Sequence, residues 1–182
     1  MGTQHSSISD SLKAFIKAQK IYFVATAAKD GRVNVSPKGM DSLRVIDQNK
    51  VIWLNLTGSG NETAAHLLDT NRMTLMFCDF DDRPVILRLY GTANTIHPRD
   101  AAWQHYAPMF DTFISARQIF EMKVDLVQTS CGFGVPLFGY QGDRDTLINW
   151  SNNKGEDGIK DYWIDKNQKS IDGKETGILG VG

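Results

Sequence analysis

The clearest pattern in the chain is a series of short apolar runs separated by turns rich in glycine, aspartate and asparagine. Runs rich in β-branched and aromatic residues predict strands. Alternation in the last run predicts that residues 122, 124 and 126 share one face and residues 123, 125 and 127 the other. The predicted strands are 21–28, 33–36, 43–46, 51–56, 73–80, 85–96 and 118–127.

Helical spacing and turn residues complete the prediction. Asp30-Gly31 predicts a tight hairpin turn, Pro37 is expected to end the strand that precedes it, and Gly91 predicts a bulge. Because few helices separate the strands, the chain is expected to be mainly β. An antiparallel barrel with flanking helices fits this pattern better than a parallel α/β sheet. The predicted helices are 9–20, 61–71, 97–106, one from Asp143 or Asp145 to Gly155, and one around 159–166.

The stretch 51–68 joins an apolar strand, a glycine turn and the start of a helix. The first amides of a helix lack internal partners and carry partial positive charge, so this arrangement can bind an anion. Ser59 and Thr63 add hydroxyl donors to the turn. Asn61 acting as an ordinary N-cap explains the same pattern. Both interpretations stay open on local grounds.

Composition narrows the class of protein. At 182 residues the chain suits one domain covering 1–182, with 1–8 and 172–182 expected to be flexible tails. A net charge of −1 gives no reason to expect nucleic acid or an anionic membrane as a partner. No apolar run has the length of a membrane span, and the polar N-terminus does not resemble a signal peptide. A cytoplasmic protein is therefore expected.

Three polar residues in or beside apolar strands are candidates for a ligand site. Arg88 lies between leucines, and its charge needs either a partner or an exposed face. Lys38 lies in a turn, where it could meet a phosphate or carboxylate or remain solvated. Asn55 is the one polar residue in its strand, so it could contact a ligand or a neighbouring strand. Each alternative stays open at this point.

Metal-binding and nucleophile motifs are missing from the sequence. The histidines show no ligand spacing with one another or with the cysteines, so no metal site is expected and the histidines are assigned to the surface or to helix caps. No nucleophile motif or carboxylate pair marks a catalytic residue. If the protein is an enzyme, its chemistry is expected to belong to a cofactor. The histidines and cysteines that lack metal-ligand spacing are His5, His66, His97, His105, Cys78 and Cys131.

Several motifs together resemble the pyridoxamine 5'-phosphate oxidase-like flavoproteins, the FMN-binding split-barrel family. Four N-terminal stretches match the general family pattern: the hairpin 23–31, N-V-S-P-K-G at 34–39, W-L-N-L-T-G-S-G-N at 53–61, and L-R-L-Y-G-T-A at 87–93. The resemblance covers nearly the whole chain. It implies a six-stranded antiparallel split barrel that forms a homodimer with FMN at the subunit interface.

The C-terminal stretches resemble a bacterial subgroup of uncharacterised members within this family. They are D-L-V-Q-T-S-C-G-F-G-V-P at 125–136, G-D-R-D-T-L at 142–147 and K-N-Q-K-S-I-D-G at 166–173. True pyridoxamine phosphate oxidases carry an Arg-Lys pair after the serine of the phosphate turn, whereas Gly60, Asn61 and Glu62 follow Ser59 here. The oxidase's substrate-binding region is also not recognisable. Pyridoxamine phosphate is therefore not expected as the substrate.

The resemblance also implies which positions bind the cofactor. Residues 36–38 would line the cofactor site on its flavin side or its phosphate side, and residues 54 and 55 would lie along the isoalloxazine ring. Residues 59, 61 and 63 would hold the phosphate at the helix start, and residue 88 would reach it from a neighbouring strand. The implied FMN-binding set is Ser36, Pro37, Lys38, Leu54, Asn55, Ser59, Asn61, Thr63 and Arg88.

The resulting hypothesis is an FMN-dependent oxidoreductase that transfers hydride through flavin N5 to or from a small-molecule substrate. The catalytic residues are not assigned. Cys131 is either a redox thiol near the cofactor or an ordinary loop thiol. The main alternative is a protein of the same fold that binds flavin or haem without turnover. A deazaflavin in place of FMN ranks lower, because a longer groove lined with basic residues would favour it and the sequence offers only Lys38 and Arg88.

Overall fold

The structure of the chain, a computed structural model, describes residues 2–180. Its strands are β1 (Thr3–His5), β2 (Tyr22–Thr26), β3 (Asn34–Lys38), β4 (Leu43–Asp47), β5 (Lys50–Leu56), β6 (Arg72–Cys78), β7 (Val85–Ile96) and β8 (Ala116–Cys131). Its helices are α1 (Asp10–Ala18), α2 (Glu62–Asp69), α3 (Ala101–Tyr106) and α4 (Thr146–Lys166), with a short 3-10 turn at Ala107–Met109.

The strands form one antiparallel sheet in the order β3-β2-β6-β7-β8-β5-β4. The 16-residue strand β8 pairs with β7 on one side. Its other side pairs with β5 along its first half and with β1 near its end. The described residues therefore contain eight strands rather than the six that the family resemblance implied. One additional strand, β1, comes from the segment 1–8, which was expected to be a flexible tail.

Gly91 marks the bulge that the sequence predicted. The register between β7 and β8 shifts between Tyr90 and Gly91. A Cβ atom at Gly91 would lie 1.9 Å from the carbonyl oxygen of Lys123, a separation that no side chain tolerates. Glycine is therefore required here because the backbone of β8 passes so close to β7.

The same bulge changes which residues of β8 face the core. Val124 pairs with Gly91 and Leu126 with Tyr90, so Asp125 has no partner in the ladder. Val124 and Val127 are both buried, whereas Asp125 is exposed. The predicted alternation placed Val127 on the same face as Lys123 and Asp125. That prediction was wrong, because the unpaired Asp125 adds one residue to β8 and reverses the alternation after it.

β2 and β3 form the predicted hairpin, but residues 27–33 connect them as a loop rather than as a tight turn at Asp30-Gly31, and the predicted break at Pro37 is wrong. Gly31 has a φ of 92°, the left-handed conformation that the loop needs. β3 continues through Pro37, whose Cα pairs with Phe23 of β2. β3 is an edge strand of the sheet. An edge strand tolerates proline, because the backbone groups on its outer edge make no hydrogen bonds to a neighbouring strand.

The buried core combines strand residues with the apolar faces of α1 and α2. The rings of Trp53 and Phe120 stack at 4.6 Å between centroids, and both side chains are fully buried. Burying each ring contributes about 2 kcal/mol relative to leaving it exposed. Ser9 caps α1 as expected, because its Oγ accepts the amide of Leu12 at 3.3 Å. The core thereby fixes β5, which leads into the turn before α2.

Helix α4 is interrupted at Gly155, where φ is 69° and ψ is 174°. This break confirms the prediction of two consecutive helices. In the second half Ile159 is buried, and Trp163 attaches the helix to the turn after β5, because its Nε1 donates to Thr57 Oγ1 at 2.8 Å. The chain after α4 also lies against the fold, because Thr176 and Ile178 are buried.

Two negative findings apply to residues 2–180. No helix there is both long enough and apolar enough to cross a membrane. Cys78 and Cys131 are free thiols, the first buried and the second exposed.

Candidate functional site

A cleft of about 700 Å³ opens between β3, the end of β5 and the turn that precedes α2. We call this the anion cleft. Strand β8 contributes Arg117 to it, and the end of α4 with the residues that follow closes its far side. Its lining consists of Asn34, residues 36–38, Asn55, Leu56, residues 58–63, Arg117, Lys166 and residues 169–171.

The anion cleft contains seven of the nine residues in the implied FMN-binding set: Ser36, Pro37, Lys38, Asn55, Ser59, Asn61 and Thr63. Leu54 lies outside it and lines a separate hollow with Trp103 and Phe110. The side chains of successive strand residues point to opposite faces, which directs Leu54 away from the cleft that Asn55 lines. Arg88 also lies elsewhere, where its Nη1 donates to Ser130 Oγ at 3.1 Å.

The charge of the cleft is predominantly positive. Lys38, Arg117, Lys166 and Lys169 line it, against the single carboxylate of Glu62. Both oxygens of Glu62 already accept the amide of Ile171 at 3.1 Å. The outer lysines form exposed ion pairs, Lys166 with Asp165 at 3.0 Å and Lys169 with Glu175 at 3.5 Å. The inner cations, Lys38 and Arg117, make no ion pair within residues 2–180.

Lys38 is held against an aromatic ring rather than an acid. Its Nζ lies 5.2 Å from the ring centroid of Trp53. Burial, and then the charge of Arg117, lower the pKa of Lys38 to about 8. The ammonium is still present at neutral pH, but its charged form is disfavoured. An anion bound beside it would relieve this penalty.

Arg117 is a buried charge with neutral partners only. The residue is 3% exposed, and its Nη1 donates to Gly60 O at 3.0 Å and to Asn167 Oδ1 at 2.7 Å. Its Nε has no hydrogen-bond partner. Burial lowers the pKa of Arg117 to about 10. Such a charge is costly unless an anion completes its coordination. The sequence interpretation missed it, because the strand was predicted to begin at Gln118.

The start of α2 does not use Asn61 as an ordinary N-cap. Asn61 makes no side-chain cap bond, and instead its Nδ2 donates to Asn167 O at 3.4 Å. Its Oδ1 is buried without a partner. Asn167 also reaches the turn, where its Nδ2 donates to Gly58 O at 3.0 Å and to Ser59 O at 3.5 Å. The cap interpretation therefore does not explain this turn.

Two histidines are buried, whereas the sequence assigned the histidines to the surface or to helix caps. His66 and His97 are both buried, and His66 Nδ1 lies 3.1 Å from Thr26 Oγ1. Burial, and then the charge of Arg99, lower the pKa of His97 to about 4, against the opposing effect of Asp100. Across the described part of the chain, no three histidine, cysteine or acidic side chains form a metal-binding group.

Solved structures share this fold. A HupZ variant of Group A Streptococcus matches with a TM-score of 0.54 at 22% identity, over 68% of this chain and 99% of its own. A candidate pyridoxamine 5'-phosphate oxidase from Lactobacillus delbrueckii matches with a TM-score of 0.53 at 19% identity, over 68% and 94% of the two chains. The antiparallel split-barrel class expected from the sequence is confirmed.

The family follows from two further matches. The family model described as pyridoxamine 5'-phosphate oxidase matches residues 8–131. The pyridoxamine 5'-phosphate oxidase family protein ustO of Aspergillus flavus is 34% identical over 189 residues, which cover 93% of this chain and 75% of ustO. The chain belongs to the pyridoxamine 5'-phosphate oxidase family. The family model ends at residue 131, so the part of the cleft formed by residues 166–171 lies beyond it.

Proposed function

We propose that the chain is an FMN-binding flavoprotein that acts as an oxidoreductase on a small molecule. The observation that carries the proposal is the pair of inner cations in the anion cleft. Arg117 is buried and Lys38 is half-buried, and neither has a carboxylate partner, beside a glycine-containing turn at the start of a helix. A phosphate dianion is the kind of group that this arrangement stabilises.

The cleft also has room for the rest of the cofactor. A volume of about 700 Å³ lies within the usual range for small-molecule sites. Pro37 and Leu56 offer apolar contact, and Asn55 donates from Nδ2 to Gln118 Oε1 at 3.1 Å. Gln118 Nε2 is buried without a partner. The polar edge of a flavin ring would meet the amide of Asn55, which Gln118 supports from behind. Bound FMN would supply hydride transfer through its N5 atom.

We extend the proposal to a cytoplasmic homodimer with the cofactor at the subunit interface. Val33 and Val35 are 71% and 60% exposed, beside or within the edge strand that borders the cleft. Large apolar side chains in this position suit burial against a second copy. The exposed free thiol of Cys131 suits a reducing compartment. Light scattering of the purified protein tests the dimer, and a monomer at all concentrations would contradict it.

The composition of the cleft also ranks the alternative cofactors. Its lining contains no histidine, cysteine, methionine or tyrosine, the usual axial ligands of haem iron. Flavin is therefore favoured over haem. The four cations exceed the two that sequence reasoning assigned to the site, and they also suit a deazaflavin with a longer anionic tail. A deazaflavin is accordingly the second candidate ligand.

The direct test compares FMN with riboflavin, which lacks the phosphate. Binding to the purified protein is followed by quenching of flavin fluorescence. FMN is expected to bind at least about ten-fold more tightly than riboflavin, because charge-assisted hydrogen bonds to the phosphate are the strong contacts. Lys38→Met is expected to remove most of that difference. Lys160→Met is the matched control, because Lys160 is exposed on α4 outside the cleft.

Each outcome has a defined meaning. Equal binding of FMN and riboflavin would contradict a phosphate site in the anion cleft. Tighter binding of a deazaflavin than of FMN would assign the site to that cofactor. If neither flavin nor deazaflavin binds, the flavoprotein proposal fails. If FMN binds but no electron donor reduces it, the protein binds flavin without turnover.

A further inference from the structure

A second hollow of about 570 Å³ lies beside the anion cleft. We call it the side hollow. The two spaces share Pro37 and Lys38, so a molecule in the side hollow lies next to the occupant of the cleft. The far wall of the side hollow is the first half of α4, through Leu147 and Trp150. This wall lies beyond residue 131, where the family model ends.

The walls and the rim of the side hollow differ in chemistry. Ile21, Met40, Leu147 and Trp150 provide apolar walls. The indole of Trp150 also packs against Tyr162 and Lys154, and its aromatic surface contributes to the lining of the hollow. The rim carries Lys20, Lys38 and Arg144 against the single carboxylate of Asp143. An apolar body with one anionic end complements this arrangement, because the body meets the walls and the anion meets the rim.

The backbone that positions Met40 is strained. Met40 and Asp41 have φ values of 59° and 50°, which non-glycine residues rarely adopt, least of all in succession. Arg44 holds this turn, because its guanidinium donates to the Asp41 carboxylate at 3.0 Å from both Nη atoms. Strain of this kind persists where the surrounding structure fixes it, and it concentrates at ligand sites.

We propose that the side hollow binds a planar aromatic carboxylate. Arg144 supplies the counter-ion, because its planar guanidinium matches a carboxylate in a two-pronged contact. Its side chain makes no ion pair within the described residues, so it is free to do so. Trp150 and Leu147 contact the aromatic ring. The inference rests on the proposed function only in making this ligand the neighbour of FMN, since the binding itself needs no flavin.

Calorimetric titration of the full chain with cinnamate and with cinnamamide tests the proposal. The two probes have the same shape, and only cinnamate is charged. Cinnamate is expected to bind, with the amide several-fold weaker. Arg144→Gln is expected to lower cinnamate affinity about three- to five-fold and to leave cinnamamide unchanged, since the lost contact is an exposed ion pair. Lys160→Gln, which removes an exposed charge elsewhere on α4, is the control.

A second variant tests the apolar wall. Trp150→Leu is expected to weaken both probes, because both lose the same stacking surface. Equal affinity for the two probes, or an unchanged cinnamate affinity in Arg144→Gln, would overturn the assignment of the rim. Absence of cinnamate binding, in protein that binds FMN, would overturn this inference alone. Cinnamate binding as described, in protein that does not bind FMN, would support this inference and contradict the proposed function.

Discussion

The two long walls of the anion cleft are built differently. The first wall consists of β3 and the turn at 57–61, and the second wall consists of residues 166–171. β3 is held by backbone pairing with β2 along its whole length, from Asn34 to Lys38. The second wall has one isolated backbone bridge, between Lys169 and Glu175. Further backbone bonds, from Ser170 N to Lys174 O and from Thr176 N to Gln168 O, also stay within the segment 167–176. Side chains connect the second wall to the rest of the fold, chiefly Asn167 and the carboxylate of Glu62.

This difference shows two ways of positioning a charged site. A strand in a ladder is fixed by repeated backbone bonds, so the position of β3 does not depend on one side chain. The second wall depends on Asn167, which alone bonds Gly58 O, Arg117 and the region of Asn61. Substitution of Asn167 alone is therefore expected to disturb the whole second wall.

The largest expected effect is that of Asn167→Ala on stability. Asn167 is fully buried, and the substitution leaves Arg117 with Gly60 O as its remaining acceptor. A buried charge that loses a partner costs about 3 kcal/mol of unfolding free energy. Denaturant unfolding measures the loss, with the exposed Asn153→Ala on α4 as the control. A loss no larger than that of the control would show that the second wall does not depend on Asn167.

Arg117→Met is expected to separate binding from stability. Methionine removes the costly buried charge but leaves Gly60 O and Asn167 Oδ1 without their donor, so the free energy of unfolding should fall by about 1–2 kcal/mol, less than in Asn167→Ala. The preference for FMN over riboflavin should fall about ten-fold, because one inner cation is lost. Flavin titration and denaturant unfolding are run on the same preparation. An undiminished preference for FMN would remove Arg117 from the phosphate site.

A smaller effect is expected from pH. Because the pKa of Lys38 is lowered to about 8, its ammonium is lost as the pH rises through about 8. Binding of an anion is therefore strong below this pH and weakens above it. FMN affinity should fall in this window, whereas riboflavin affinity should not. In Lys38→Met the fall should disappear. A fall that persists in that variant would assign the titration to another group.

The smallest effect is expected from Lys174→Ala. Lys174 forms ion pairs with Asp30 and with Asp69, which join the segment after the second wall to the hairpin turn and to α2. These pairs are accessible to solvent and contribute little to global stability. Limited proteolysis should nevertheless cut the segment after α4 faster in this variant, at unchanged overall stability. An unchanged cleavage rate would mean that the other contacts of the segment, such as the bonds from Arg99 to the carbonyl oxygens of Gly177 and Ile178, hold it without Lys174.

The comparison of walls also explains what the sequence could predict. β7 was predicted at its observed bounds, Val85–Ile96, with its bulge at Gly91. The turn before α2 was also predicted. The strand, its bulge and this turn all depend on residues that are close together in the chain, which a local pattern reports. The contacts of Asn167 with Gly58 span 109 positions. No local pattern reports a contact at that distance.

Arg88 and Arg117 show the limit of local reasoning about charge. Both lie in apolar strands, and the sequence interpretation chose Arg88 because leucines flank it. In this chain Arg117 lines the cleft and Arg88 contacts Ser130. Which arginine reaches the site depends on the order of strands in the sheet, and β8 adjoins β5 whereas β7 does not. That order is a property of the whole fold.

Pro37 has a consequence for solubility as well as for the cleft. An open strand at the end of a sheet can template the addition of another chain and so begin aggregation. Proline in such a strand lacks the amide donor that an incoming strand would need. β3 carries Pro37 near its end, two residues after the exposed Val35. The residue that borders the cleft thus also limits uncontrolled self-assembly of newly made chains.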